Sequence, residues 1–402
     1  MGEVPMSAAF SGSSSTSTNG TTNGVNAGRA GTATPLRHYI DVAVIGAGVI
    51  GLAVTDALIR RGVDVVCFDH RKPGQGQSGG LSRTFRTRHD SPHVVKLAAD
   101  SRVLWREWER RSGKTLVGDE GTVYLGFEEE DAHGLRVNDV PHRFAAPAER
   151  AQLFSALGPV EGRLLHDPDS GAIRARNTID ALTGFTAGRI RPTEVHTVTV
   201  PADGDGVELQ TADEIIRARH VVIAAGTNTP RLAAGVGIDI PLNCALHARP
   251  HYRIRNEHLA NSQPCWVDKS GAFGETVYGS PIGTTGRYVF GLIGTGVDVP
   301  MDGNGAVPPG SAMEDHVRRV SEYVRRAMPG IDPEPVGVRV CVMTKLPGGS
   351  DAFGVWQNGG VTAVTGHNLF KLAPVLGEKI ADAAVHERVP AEIVEATATA
   401  PA

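Results

Sequence analysis

The chain has 402 residues, 41% hydrophobic and 21% charged, with a formal net charge of −4. That composition is ordinary for a globular protein, and the length allows two domains or one large discontinuous one. The slightly acidic balance gives no electrostatic basis for binding nucleic acid or an anionic membrane, and no apolar run approaches the ~20 residues that cross a bilayer.

Residues 1–37 are rich in Ser, Thr, Gly and Asn and predict a disordered tail with nothing to bury. The segment has no apolar core of a secretory signal, and Met6 breaks the myristoylation pattern that Met1-Gly2 begins.

Residues 42–51 read VAVIGAGVIG. A β-rich run ends in a Gly-rich turn, a helical pattern follows from Leu52 to about Arg61, and a second apolar run, Val63 to Phe68, ends at Asp69. In such a strand–turn–helix–strand unit Gly46 allows the tight turn and Gly48 lets backbone approach a pyrophosphate. Gly51 packs helix on strand, and Asp69 accepts from a ribose hydroxyl. The helix N-terminus is expected to present bare N–H groups to phosphate. The motif predicts dinucleotide binding; a tight βα turn in another α/β fold is the plainer alternative.

A Gly-rich basic loop, RKPGQGQSGGLSRTFRTRHD, comes next. Helices are expected at 91–111, where Val94, Leu97, Ala98, Leu104, Trp105 and Trp108 form an apolar stripe, at 147–157, at 177–188 and at 311–328. Strands are expected at 121–127, 195–200, 206–211, 220–226 and 336–344. Residues 244–300 have the alternation of an antiparallel sheet. Residues 361–386 read as strand, Gly-His turn and helix.

The fold class expected is α/β. Residues 38–90, 165–235 and 330–390 form a discontinuous Rossmann-like nucleotide-binding domain, and 91–164 and 236–329 an antiparallel-sheet substrate domain. Residues 391–402 are expected to be a flexible C-terminus. By fold-level analogy this arrangement suits flavoprotein oxidoreductases better than NAD dehydrogenases. The cysteines Cys67, Cys244, Cys265 and Cys341 form no CxxC pair, so neither metal nor disulfide framework is indicated and a reducing, cytoplasmic setting fits.

The Gly-rich turn, GGLSRTFR (79–86), HVVIAAG (220–226), RVCVMT (339–344) and TGHNLFK (365–371) resemble, in the same order, signatures of the sarcosine oxidase and N-methyl amino acid oxidase family, relatives of D-amino acid and glycine oxidases. The resemblance covers about residues 40–390. It implies FAD and oxidation of the C–N bond of an amino acid, with hydride passing to flavin and O2 as the usual acceptor, giving H2O2.

The site residues follow from it. Arg86 resembles the arginine that grips the substrate carboxylate, and a guanidinium does this bidentately while keeping its charge. Arg83 and Ser82 would lie at the flavin, as would Gly226. Lys371 would share the carboxylate; a lysine in the first turn of a helix otherwise sits against the dipole. Gly366 and His367 would place a helix N-terminus at the flavin pyrimidine. Cys341, which by itself reads as a small buried hydrophobe, matches the cysteine that bonds covalently to the flavin ring. Tyr278 matches an active-site tyrosine.

Three positions depart from the family. Val289 falls where its oxidases carry an oxygen-activating lysine, Ile293 replaces a histidine, and Met343 an aromatic residue. Strand periodicity puts Lys345 on the face of Cys341, where it would supply the missing cation. The leading reading is oxidation of a secondary, cyclic or N-methyl amino acid by a monomer or small homo-oligomer. The alternatives are a dehydrogenase with another acceptor, a flavin monooxygenase (although no second GxGxxG is present), and a non-catalytic flavin-binding protein.

Overall fold

The computed structural model describes residues 39–259, 262–283, 285–299, 311–347 and 352–398. The expected N-terminal tail lies outside the described residues.

Two large sheets organise these residues. In the first, strand β1 (Tyr39–Ile45) pairs parallel with β2 (Val65–Phe68) on one side and with strand Ile215–Ile223 on the other. Strand Val361–Gly366 extends the parallel set beyond Ile215–Ile223, and Phe353–Asn358 closes that edge antiparallel. Val42, Ala43 and Val44 are all buried because helices or loops cover both faces; this is why β1 is a continuous apolar run rather than an alternating one.

Helix α1 (Val49–Arg60) makes the β1–β2 crossover. It packs so closely on helix Ala373–His386 that a Cβ on Gly377 would stand 2.8 Å from the Cβ of Ala53. Strand β3 (Ser82–Phe85) follows, paired with Gly171–Arg174. Helix α2 (Pro92–Ser112) starts with Pro at its first turn and ends at Gly113, whose φ of 66° lets its N–H reach the Glu109 carbonyl at 2.9 Å. Its predicted stripe is buried except for the half-buried Leu104, with Trp105 fully enclosed.

The second sheet runs Val297–Val299, Asn243–Arg253, Arg287–Leu292, Val277–Pro281, Cys265–Asp268, Thr122–Leu125, Leu164–Asp167, Arg143–Ala145, with Gly337–Lys345 also paired to Asn243–Arg253. Helix Ser311–Ala327 covers it, burying Val320, Tyr323 and Val324 against Trp266, Tyr288 and Phe290.

The sheets do not divide at the expected boundaries. Leu164–Asp167 and Gly337–Lys345, expected with the nucleotide-binding segments, hydrogen-bond into the second sheet. The long strand Asn243–Arg253 offers Gly337–Lys345 nine consecutive partners, Asn243 to His251. The expected flexible C-terminus contains helix Ala391–Ala398, anchored by Ile393 at 1% exposure; residues 399–402 lie outside the described set. The helix expected at 147–157 is only a 3-10 turn, Pro147–Glu149, followed by one α-turn, Arg150–Leu153. No helix among the described residues is long and apolar enough to cross a membrane.

Candidate active site

At the C-terminal ends of β1 and β2 the chain makes a surface of bare backbone. Gly46 has φ +105°, and a Cβ there would lie 2.5 Å from the Ala224 carbonyl oxygen. A Cβ on Gly51 would lie 1.8 Å from the Gly46 oxygen. Gly48 caps α1 without a side chain. Asp69, just past β2, accepts from the Ala47 N–H at 2.9 Å and from the Arg71 N–H at 2.9 Å, which fixes its carboxylate at the rim. The helix N-terminus is not wholly bare: the Ser78 hydroxyl accepts from the Val49 N–H at 2.9 Å. Ser78, which sequence reasoning missed, thereby folds the Gly-rich loop over the turn. Gly226, at φ +61°, borders the same space.

From this surface one cavity of about 990 Å³ runs to Cys341, Tyr278 and Lys371. Exposed backbone at Gly46 and Gly48, a carboxylate at Asp69 and an elongated cavity beyond them fit a flavin dinucleotide.

The far end is assembled from five separated segments. Arg83 and Arg86 both border the cavity. Arg83 spends its guanidinium on carbonyls, donating to Ser82 O at 2.8 Å, to Gln77 O at 3.1 Å and to Gly79 O. Burial, reinforced by Arg249, pushes its pKa down to about 10, so it stays charged at neutral pH. Arg86 donates to Arg88 O at 2.7 Å. Arg88 itself is held by Asp131 at 2.7 Å and Asp90 at 2.6 Å. Lys371 is 4% exposed, in a 3-10 turn Leu369–Leu372 that precedes the helix Ala373–His386. Its carbonyl accepts from Ser101 Oγ at 2.7 Å and Trp105 Nε1 at 2.9 Å, so α2 fixes its position. The expected α-helical N-terminus at Gly366-His367 is therefore displaced to Ala373 by this turn. Gly366 and His367 still line the cavity.

Ser82 departs from expectation. Its hydroxyl donates to Pro281 O at 2.7 Å and lies 3.0 Å from Ser280 Oγ. Ser82 is buried between strands rather than among the residues lining the cavity.

Cys341 is half-buried and borders the cavity, whereas Cys67, Cys244 and Cys265 are buried. Burial drives the Cys67 thiol up to about 12, so that group is inert. Tyr278 places its hydroxyl 3.1 Å from His247 Nδ1, and His247 Nε2 lies 3.0 Å from the Leu292 carbonyl. A carbonyl only accepts, so Nε2 carries the proton and Nδ1 accepts from Tyr278. Burial, and then Arg249, lower His247 to about 4, which keeps it neutral. The Tyr278 oxygen thus retains its remaining lone pair for the cavity.

Sequence reasoning missed His247, Arg249 and Arg339. The signal was present in LHARPHYR, where His247, Arg249 and His251 alternate with apolar or small residues. Of the departures, Val289 is buried opposite His251 and Ser280, while Ile293 and Met343 line the cavity. Lys345 also borders it, but its ammonium is neutralised by Asp298 at 3.0 Å, which weakens it as a replacement cation.

A parallel sheet with a Gly-rich βα turn, joined to an antiparallel one and sharing a cavity with it, has the architecture of a dinucleotide-binding enzyme. The chain belongs to the family of FAD dependent oxidoreductases, whose model matches residues 41–383. It is 26% identical over 364 residues to the peroxisomal sarcosine oxidase of Homo sapiens, covering 84% of this chain and 90% of that one. Against the N-methyl-L-tryptophan oxidase of Escherichia coli it is 24% identical over 377 residues, covering 85% and 94%. The structure of NikD, an unusual amino acid oxidase essential for nikkomycin biosynthesis, superposes with a TM-score of 0.76 at 21% identity, covering 90% of this chain and 98% of that one. The protein is an FAD-dependent enzyme of the sarcosine oxidase-like group.

Proposed function

We propose that this protein oxidises the C–N bond of a carboxylate-bearing secondary, cyclic or N-methyl amino acid to the imine. The observation that carries the reading is the convergence of Arg86 and Lys371, from segments 285 positions apart, on the cavity that also receives Cys341 and Tyr278. When bound, FAD supplies the two-electron acceptor for the hydride that leaves the carbon beside nitrogen. Arg86 grips the carboxylate and Lys371 adds a second charge, fixing the carbon's distance and angle to the ring. Tyr278, its proton committed to His247, accepts an N–H from the amine and turns the nitrogen lone pair toward the breaking C–H bond. Cys341 is the proposed thioether attachment point. The names of the relatives, sarcosine and N-methyl-L-tryptophan oxidases, support an N-alkyl substrate.

For the electron acceptor, O2 giving H2O2 is the primary reading. A dehydrogenase with another acceptor is the second, favoured by the apolar Val289 and the paired Lys345.

The test is anaerobic. Holoprotein is mixed with sarcosine, proline, pipecolate and N-methyl amino acids while visible flavin absorbance is followed. Bleaching by this class is expected; none from any member overturns the reading. Air is then admitted, and stoichiometric peroxide separates oxidase from dehydrogenase.

A further inference from the structure

We propose that Arg249 and Arg339 form a second anion subsite in this cavity, and that the substrate is a secondary amine carrying two carboxylates, one on Arg86 and Lys371 and one on this pair. The proposal rests on the C–N oxidation reading above.

Strands Asn243–Arg253 and Gly337–Lys345 run antiparallel, with His247 opposite Cys341 and Arg249 opposite Arg339. Residues directly opposite share a face, with Cβ atoms about 5 Å apart, and residues two apart along a strand share it too. The ribbon therefore presents a two-by-two patch of His247, Cys341, Arg249 and Arg339, and all four line the cavity. Like charges directly opposite repel. A third guanidinium, that of Arg83, is close enough for both to disfavour its charged form.

The described residues provide no counter-charge there. Among the described residues no carboxylate forms an ion pair with Arg249 or Arg339. Arg249 is 6% exposed and donates from Nη1 to the Ser82 carbonyl at 3.2 Å, and its buried Nε has no partner. The buried Nε of Arg339 also lacks one. Elsewhere the chain neutralises its buried arginines: Arg88 with Asp90 and Asp131, Arg217 with Glu208, Asp203 and Asp205. A buried, uncompensated charge is strongly unfavourable, and here the buried Arg249 has the half-buried Arg339 directly beside it.

The missing charge comes with a ligand. The pyrophosphate surface lies elsewhere, at Gly46 and Gly48. The arginine pair instead shares a face with Cys341, and Arg249 stacks over the Tyr278 ring at 5.7 Å. That places the pair at the reacting end. Two planar forks with unused N–H donors match a carboxylate, which accepts two parallel bonds.

The test compares non-oxidisable ligands that differ by one carboxylate: 2,2′-thiodiacetate and its longer homologue 3,3′-thiodipropionate against (methylthio)acetate. Binding to the holoprotein is measured by calorimetry and by perturbation of the flavin spectrum. At least one dicarboxylate is expected to bind tenfold or more tighter than the monocarboxylate. Arg249→Met and, independently, Arg339→Met should bring that ratio to about one, with Arg249→Lys intermediate because it keeps the charge and loses the fork. Thermal melts show that each variant is folded, and the dicarboxylate should raise the native melting temperature more than the monocarboxylate. Equal affinity for both ligands in the native protein would overturn the subsite and leave the Arg86–Lys371 clamp standing. Failure of every carboxylate to bind would overturn the clamp as well. Sulfate raising the melting temperature as much as the dicarboxylate would assign the pair to a free anion and overturn the substrate class.

Discussion

The two ends of the cavity are built by different means. The nucleotide end is built mainly from one contiguous run, Gly46 to Asp69, with Ser78 and Gly226 beside it. The substrate end draws single side chains from β3 and its loop, from Asn243–Arg253, from Val277–Pro281 with Gly337–Lys345, and from the turn before Ala373–His386. At Gly46 and Gly51 the first end has no room for a Cβ. The second depends on where charges stop being compensated. On the proposed function, shape would govern retention of the cofactor and electrostatics the choice of substrate.

The sharpest way to break the first end is Gly51→Ala. Its Cβ would meet the Gly46 oxygen at 1.8 Å, a backbone atom with no freedom to retreat. A cost of ~3 kcal/mol or more is expected, with no flavin retained on purification. Gly62→Ala is the control, because its φ of +73° strains the residue while nothing lies within 4 Å. It should cost about 1 kcal/mol and keep the flavin. Flavin content and melting temperature read both.

At the second end the largest effect expected is that of Arg86→Met. Loss of a charge-assisted pair to the carboxylate costs about 3–4 kcal/mol, so kcat/KM should fall on the order of 10²–10³-fold with flavin content intact. Arg83→Met should do the reverse. Its donors hold the carbonyls of Ser82, Gln77 and Gly79, so its loss frees the loop and lowers flavin retention first. Steady-state kinetics beside flavin-to-protein ratio separates the two, and equal effects on both quantities would dissolve the distinction between the ends.

How far each end was legible follows from the same contrast. Gly46, Gly48, Gly51 and Asp69 were readable because their spacing along the chain is the structure. Arg86, Tyr278, Cys341 and Lys371 were reached through short motifs and do line the cavity. Ser82 falls outside the cavity lining because its hydroxyl is held by Ser280 and Pro281, nearly 200 positions away. His247 and Arg249 were invisible as site residues because alternation shows that a strand has two faces and does not say that the polar face is buried. The strand Gly337–Lys345 was placed in the wrong sheet for a similar reason: its partner is set by register, and an apolar run carries no address. At the C-terminus a single anchored residue, Ile393, fixes the packing of a helix too weakly patterned to predict.

Each region also contains a buried histidine lowered to about 4, and acid distinguishes these two. His220, in the nucleotide-binding sheet, bonds Thr362 Oγ1 at 2.9 Å; His247 lies in the substrate sheet. Burial lowers both to about 4, from an ordinary value of 6.5. The folded state therefore binds the proton less readily than the unfolded chain. The stability each contributes is fully present above pH 6.5 and is lost as the pH falls toward 4, on the order of 3 kcal/mol apiece. Urea unfolding between pH 7 and 4 should show this slope, and His247→Asn or His220→Asn should each make it shallower, whatever either does to stability at pH 7. The ligand separates the two sites further. His247 shares its cavity face with Arg249, so a bound dicarboxylate should ease its protonation and shallow the His247 part of the slope. His220, held beneath the nucleotide-binding sheet, should not respond. A slope unchanged in His247→Asn would mean that the ring already carries its proton, and the Tyr278 oxygen would then lose the polarity that aims it at the amine.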